Sequence, residues 1–186
     1  LISCLRARGL GGHFVRPHYA HRMTTDYATY IAGLPRVLAG AGVIFRDADD
    51  RVLYVEPNYR DTWILPGGTV ESDAGESPRQ AARRETAEEI GLDIEPGRLL
   101  AVDWVRGPGR PPLVSYLYDG GVLDAGQLAA IRLQETELLS FSLLTWEEAE
   151  PRLSPPMALR MRAALDALAG GGGPVELEDG VAPAAS

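Results

Sequence analysis

Two rhythms of apolar residues alternate along this chain. Over 36–46 (Arg-Val-Leu-Ala-Gly-Ala-Gly-Val-Ile-Phe-Arg) and again over 51–56, apolar and β-branched residues crowd together, and Asp47-Ala48-Asp49-Asp50 between them has the polar character of a hairpin turn. Similar short runs over 99–105, 113–118 and 138–144 predict further strands. Turn-forming residues separate them, at Gly107-Pro108-Gly109-Arg110-Pro111-Pro112 and at Asp119-Gly120-Gly121. The rhythm changes over 77–90, where Ala82, Thr86 and Ile90 recur at four-residue steps. Ser77 with Gln80 spells a capping box, Pro78 suits the first helical position, and Gly91 supplies the stop. A final helix is predicted over 155–168. Strands interleaved with helices predict an α/β fold in which a mixed sheet carries helices on both faces, an α/β/α sandwich.

The 186 residues, 45% of them hydrophobic, suffice for one domain with a substantial core and fall short of two. That domain is expected over 23–169. Residues 1–22 hold the lone cysteine, Cys4, and all three histidines, His13, His18 and His21, without sustained periodicity, and are read as a leader preceding Met23. Their spacing fits no structural zinc pattern. Residues 170–186 run from glycines into Pro, acidic and Ala residues and are read as a flexible tail. One cysteine precludes an intrachain disulfide, and no apolar run reaches transmembrane length, so a cytoplasmic setting without membrane contact is the expectation.

Candidate chemistry gathers in one loop, helix and loop: Gly67-Gly68-Thr69-Val70-Glu71, Gly75-Glu76 and Arg84-Glu85-Thr86-Ala87-Glu88-Glu89-Ile90-Gly91-Leu92. On the helix, Glu85, Glu88 and Glu89 stand at three- and four-residue steps, so their carboxylates share one arc of its surface. An acidic helix face is ordinarily just solvated surface. This one follows a glycine loop able to bring backbone close to a ligand, and converging carboxylates repel one another unless a cation joins them. Magnesium suits that place, because it takes hard oxygen ligands and pairs carboxylates with substrate phosphates; manganese is the substitute.

The stretch from Gly68 to Leu92 resembles the Nudix box: Gly, a spacer, Glu, seven residues, Arg-Glu, an aliphatic residue, any residue, Glu-Glu, any residue, Gly and an aliphatic residue. Two departures stand out. Seven residues, Thr69 to Gly75, separate Gly68 from Glu76 where the family usually has five, and Thr86 stands where an aliphatic residue is usual. The resemblance implies a magnesium-dependent hydrolase that cleaves a diphosphate linkage in a small nucleotide-like molecule, such as ADP-ribose, a nucleotide sugar or a nucleoside triphosphate. It implies that Glu85, Glu88 and Glu89 hold the metal, with the backbone carbonyl near Gly68 completing the shell. It also implies that Arg84 and Glu76 form an ion pair that holds the loop on the helix. The general base stays open between a box glutamate and a distal one, for which Glu135 and Glu137 are the candidates.

Recognition of the group attached to the diphosphate is assigned to residues near predicted strand ends: Arg36, Arg60 and Trp104, with Tyr59 and Trp63 beside them. Both tryptophans suit the core better than a stacking role. The 18 basic residues, every one an Arg, face 26 acidic ones for a net charge of -8, which disfavours a nucleic-acid partner and leaves guanidinium forks as the side-chain cations available to phosphate. A homodimer stays open. Three other readings compete. A silent binding module of the same fold would be expected to have lost the box acids, which are all present. An isoprenoid diphosphate isomerase uses an active-site cysteine, whereas Cys4 lies in the expected leader, and RNA decapping sits poorly with the negative charge. A chain begun at Met23 is expected to keep metal-dependent hydrolysis; loss of activity or of cooperative unfolding in that truncation would make residues 1–22 part of the domain.

Overall fold

The computed structural model describes residues 23–184, so the readings made for residues 1–22 lie outside the described part. An N-terminal unit ends at Arg36 and contains the helix α1 (Met23–Ala32), which the apolar pattern did not announce. The second unit, from Val37 onward, is built around strand β1 (Leu38–Arg46).

Strand β2 (Val52–Pro57) returns antiparallel to β1 through the expected turn, where Asp47 Oδ1 accepts from the backbone N–H groups of Asp49 at 3.0 Å and Arg51 at 2.9 Å. The two strands meet at Arg46 and Val52. Toward the other end of β1, the short strand β3 (Gly67–Thr69) takes that edge instead, pairing Gly42, Ala41 and Gly40 with Gly67, Gly68 and Thr69. β1 is therefore forked. After β3 come the helix α2 (Pro78–Ile90), β4 (Leu99–Val105), β5 (Leu113–Val122), α3 (Ala125–Ala130), β6 (Leu138–Leu144), α4 (Trp146–Ala149), α5 (Pro155–Gly170) and β7 (Val175–Glu178). The sheet is mixed, in the order β6-β2-β1-β5-β4-β7, with β1 to β5 and β4 to β7 parallel and the other pairs antiparallel.

Side-chain alternation sorts the strands into two cores. Val43, Phe45, Leu53 and Val55 point to the α2 side with Ala81, Ala82 and Ile90, while Ile44, Val52 and Tyr54 point to the α5 side with Met161 and Ala164. A strand buried on both faces reads as a continuous apolar run, which is why β1 and β2 lack polar alternation in the sequence. The α/β/α sandwich expected from the sequence is the fold observed.

Helix α2 begins and ends where its sequence signals stand. Ser77 Oγ accepts from the Gln80 N–H at 3.3 Å, Gln80 Oε1 accepts from the Ser77 N–H at 2.9 Å, and Gly91 closes the helix in the left-handed region. Thr86 is fully buried and its hydroxyl donates to the Ala82 carbonyl at 2.7 Å, so a polar residue fills the aliphatic position without an orphaned group. Two expectations need correction. Asp119-Gly120-Gly121 is no turn: β5 runs on to Val122, and a register shift opposite Ile44 and Phe45 leaves Gly120 without a partner, followed by Gly121 at φ 77. Nor does a flexible tail describe all of 170–186, because β7 adds parallel to β4 and buries Leu177. The composition of that segment is poor in apolar residues, but backbone pairing needs few of them. Ser77→Ala is expected to lower stability by about 1 kcal/mol, measured by urea unfolding, since it removes one half of the capping box.

Candidate active site

The fork in β1 brings the glycine loop onto α2. Gly67 has φ 143, and a Cβ there would lie 2.2 Å from the Ala41 carbonyl oxygen, so the position admits no side chain. A Cβ on Gly68 would lie 2.4 Å from the Glu85 carboxyl carbon. The missing side chains let backbone and carboxylates touch: the Gly67 N–H donates to Glu89 Oε2 at 2.7 Å.

Arg84 gathers the rest of the acids. Its Nε and Nη2 bond Glu76 at 2.8 and 3.1 Å, Nη1 bonds Glu88 at 3.1 Å, and Nη2 also reaches the Thr69 carbonyl at 3.1 Å and Glu85 at 3.0 Å. Glu76 accepts in addition from the Glu71 N–H at 2.8 Å. The loop is thereby pinned to the helix at both of its ends. The longer spacer between Gly68 and Glu76 leaves this pinning intact, because Ser72–Ala74 winds into a single 3-10 turn that closes at Gly75.

The acids part into two kinds. Glu76 is held below the usual carboxylate range, first by its bonds to Arg84 and then by the Glu71 N–H. Glu89 is only 4% exposed, and burial, with lesser repulsion from Glu85, Glu137 and Glu88, pushes its carboxyl up to about 8 against the help of the Gly67 N–H. Burial also raises Glu85, opposed by Arg84 and reinforced by Glu88 and Glu137. Glu88 is the outlying member, with its side chain 53% exposed and tied to Arg84. Among the described residues no three acidic, His or Cys side chains converge as a preformed cluster. Glu85 and Glu89 are therefore the carboxylates best placed to hold a cation, and two such ligands with water match how magnesium is commonly bound.

Glu135 and Glu137 both stand exposed in the turn over 135–137 before β6, and of the two it is Glu137 whose charge is felt at the site. Asn58 fixes that turn, its N–H donating to the Glu137 carbonyl at 2.8 Å and its amide Nδ2 to the Thr136 carbonyl at 2.7 Å. The Glu137 charge then contributes to the field on both Glu85 and Glu89.

Beside the glycine loop a cavity of about 300 Å³ runs along β1 and β5 toward α5. Arg60 and Tyr59 line it, with the guanidinium 5.0 Å from the centre of the tyrosine ring, and so do Ser115, Met157 and Arg160. Trp104 does not line it; it stands 38% exposed on β4, whose neighbour β7 the sequence pattern had not supplied. Trp63 packs on the α5-side core under Arg152. Arg36 belongs to the N-terminal unit. Sequence reasoning missed Arg160 altogether. The signal was available: it interrupts the apolar stripe of Met157, Met161 and Ala164 on α5, where a charge has no place without a partner.

Comparison with known proteins agrees with this geometry. The chain is 33% identical over 140 residues to a MutT-like protein of Streptomyces ambofaciens, covering 75% of this chain and 82% of the relative. It is 38% identical over 77 residues to a putative ADP-ribose pyrophosphatase of Bacillus subtilis, covering 41% of this chain and 35% of that one. A solved NUDIX hydrolase from Nitrosomonas europaea superposes with a TM-score of 0.61 at 23% identity, over 78% of this chain and 79% of its own, which bears on the fold alone. The model of the NUDIX domain matches residues 37–168, from the start of the second unit to the end of α5, and the chain belongs to that family.

Proposed function

We propose that this Nudix hydrolase cleaves a diphosphate linkage in a small nucleotide-like molecule, a nucleoside diphosphate joined to a further group, with magnesium as its cofactor. One observation carries the reading. The buried Glu89 and the partly buried Glu85 lie against a glycine loop in which Gly67 admits no side chain and Gly68 meets the Glu85 carboxylate, and the cavity next to that loop is lined by arginine. The donor set fits magnesium, since both donors are hard oxygens and the Glu89 carboxylate lacks a cationic partner among the described residues. A divalent ion held there supplies the charge that polarises phosphoryl oxygens and lowers the pKa of a water. Among the described residues no helix is long and apolar enough to cross a membrane.

The chain's own residues divide the remaining work. Glu85 and Glu89 bind the cation from α2. Arg84 fixes Glu85 from the side, and through Glu76 it keeps the loop closed on the helix, so it positions the ligands without touching substrate. Glu137 is the carboxylate to which we assign acceptance of the water proton, because it is the distal acid whose charge reaches the pair. The relative named as a putative ADP-ribose pyrophosphatase makes ADP-ribose the first substrate to try.

Hydrolysis of ADP-ribose, nucleotide sugars, dinucleoside polyphosphates and nucleoside triphosphates, each with and without magnesium, tests the activity. Turnover of at least one, abolished by EDTA, is expected; binding of these compounds without turnover would instead identify a silent ligand-binding module. Glu85→Gln and Glu89→Gln are expected to lower kcat by at least about 100-fold with unfolding still cooperative, Arg84→Ala by about 10–100-fold, and Glu88→Gln by less than tenfold.

Acid titration supplies a second check. The Glu89 carboxyl sits near 8 in the fold against an ordinary 4.5, so folding favours its protonated form; that stabilisation is complete below about 4.5 and lost as pH rises through 8. The metal-free protein should lose stability across that window, by up to about 1.4 kcal/mol per pH unit. Glu89→Gln should flatten the slope, and magnesium should raise the thermal midpoint more at pH 8 than at pH 5. Parallel slopes for the two proteins would remove Glu89 from the cation site.

A further inference from the structure

The cavity has a charge character opposite to that of the chain. On a protein of net charge -8, the charged side chains among its lining residues are Arg60 and Arg160, with no acid in the lining itself. Arg60 stands exposed at the mouth over Tyr59. Arg160 lies deep, with 9% of its side chain exposed, and is anchored there by Asp103, which is wholly buried on β4. Its Nε donates to Asp103 Oδ2 at 2.6 Å, and the other carboxylate oxygen accepts from the Gly180 N–H at 3.1 Å.

This arrangement leaves part of the guanidinium without a strong acceptor. Among the described residues the hydrogen-bond partner of its terminal nitrogens is the Met157 sulfur, 3.9 Å from Nη1, and a thioether accepts weakly. Asp103 uses both of its oxygens on the far side, so the fork is aimed and its remaining N–H groups stay available. A buried ion pair that served packing alone would be satisfied around its whole rim, because unpaired donors in a dry site are costly. Ser115 on β5 adds a hydroxyl to the lining.

We infer that Arg160, positioned by Asp103, and Arg60 at the mouth together recognise an oxyanion on the substrate beyond the scissile diphosphate, a further phosphate or a carboxylate on the attached group. Planar guanidinium forks match both chemistries, and their placement beside the glycine loop sets the anion in the same molecule as the bond to be cut. The inference rests on the proposed hydrolysis for its substrate, although the oxyanion site itself does not depend on turnover.

Two measurements on the full chain separate the questions. In EDTA, calorimetric titration with inorganic phosphate is expected to show saturable binding that weakens on the order of tenfold in Arg60→Ala and in the paired Arg160→Met, Asp103→Asn variant. Should the paired variant not unfold cooperatively, Arg160→Lys, which can keep the bond to Asp103 but loses the fork, is read in its place. With magnesium, kcat/KM is compared for ADP-ribose against ADP-ribose 2′-phosphate, and for UDP-glucose against UDP-glucuronate. At least one anionic member is expected to be preferred, with the preference falling about tenfold in the variants; the first pair reports a phosphate and the second a carboxylate. Phosphate binding without any turnover would sink the hydrolase reading and leave the oxyanion site standing. No phosphate binding, binding that neither variant weakens, or turnover that drops equally for both members of each pair overturns the inference and returns Arg160 to a packing role.

Discussion

A carboxylate buried beside other carboxylates is the constraint around which this molecule is arranged. Glu89 is almost wholly removed from water, and Glu85, Glu88 and Glu137 all add to the repulsion it feels. Among the described residues, the backbone N–H of Gly67 offsets this. Arg84 does not serve Glu89; its guanidinium nitrogens are engaged with Glu76, Glu85, Glu88 and the Thr69 carbonyl. The protein thus neutralises the acids that frame the site and leaves the central one in want of a positive charge. That selective neglect is what the proposed cation site asks for, and it differs from an acidic surface, where every carboxylate would be solvated alike.

The fork of β1 is what makes such burial achievable. Were β2 to stay paired with β1 along its whole length, no edge would remain for β3, and the glycine loop would have to pass over the sheet instead of joining it. By parting after Arg46 and Val52, the hairpin lets Gly67 and Gly68 occupy ladder positions opposite Gly42 and Ala41, at a fixed distance from α2. Two adjacent residues without side chains then let a helix carrying long acids approach the sheet closely. The rigidity of a sheet is transferred to carboxylates that would otherwise sample many rotamers.

How much of this was legible in sequence depends on whether the signal was local. The boundaries of α2 were legible because Ser77, Gln80, Pro78 and Gly91 act through bonds within a few residues, and the ion pair of Glu76 with Arg84 was legible through the resemblance to the Nudix box. The two-residue expansion leaves the bonds that pin the loop to the helix in place, because Ser72–Ala74 coils on itself. What could not be read was long-range. β7 pairs with β4 across more than seventy positions, and a glycine-rich, acidic segment gives no local hint that an edge awaits it. The continuation of β5 past Asp119 was hidden because Gly120 and Gly121 look alike in a turn and in a bulge. Helical spacing and the resemblance to the Nudix box both group Glu88 with its neighbours, and its bond to Arg84 is a choice among partners that spacing does not make.

Asp103 and Arg160 show the same physics resolved the other way. Each interrupts an apolar run, Asp103 in Leu-Leu-Ala-Val-Asp-Trp-Val and Arg160 between Met157 and Met161, so each alone would be a defect in a core. Together they form a buried pair that hydrophobic residues of equal volume could replace at little cost in stability. Retaining a pair that stability does not require asks for another reason, and the geometry supplies one: the acid is satisfied on every side, while the base keeps donors turned to the cavity. On one side of the glycine loop the chain leaves an anion short of a cation, and on the other it leaves a cation short of an anion. A single molecule that brings a metal-binding diphosphate and a second negative group would satisfy both at once.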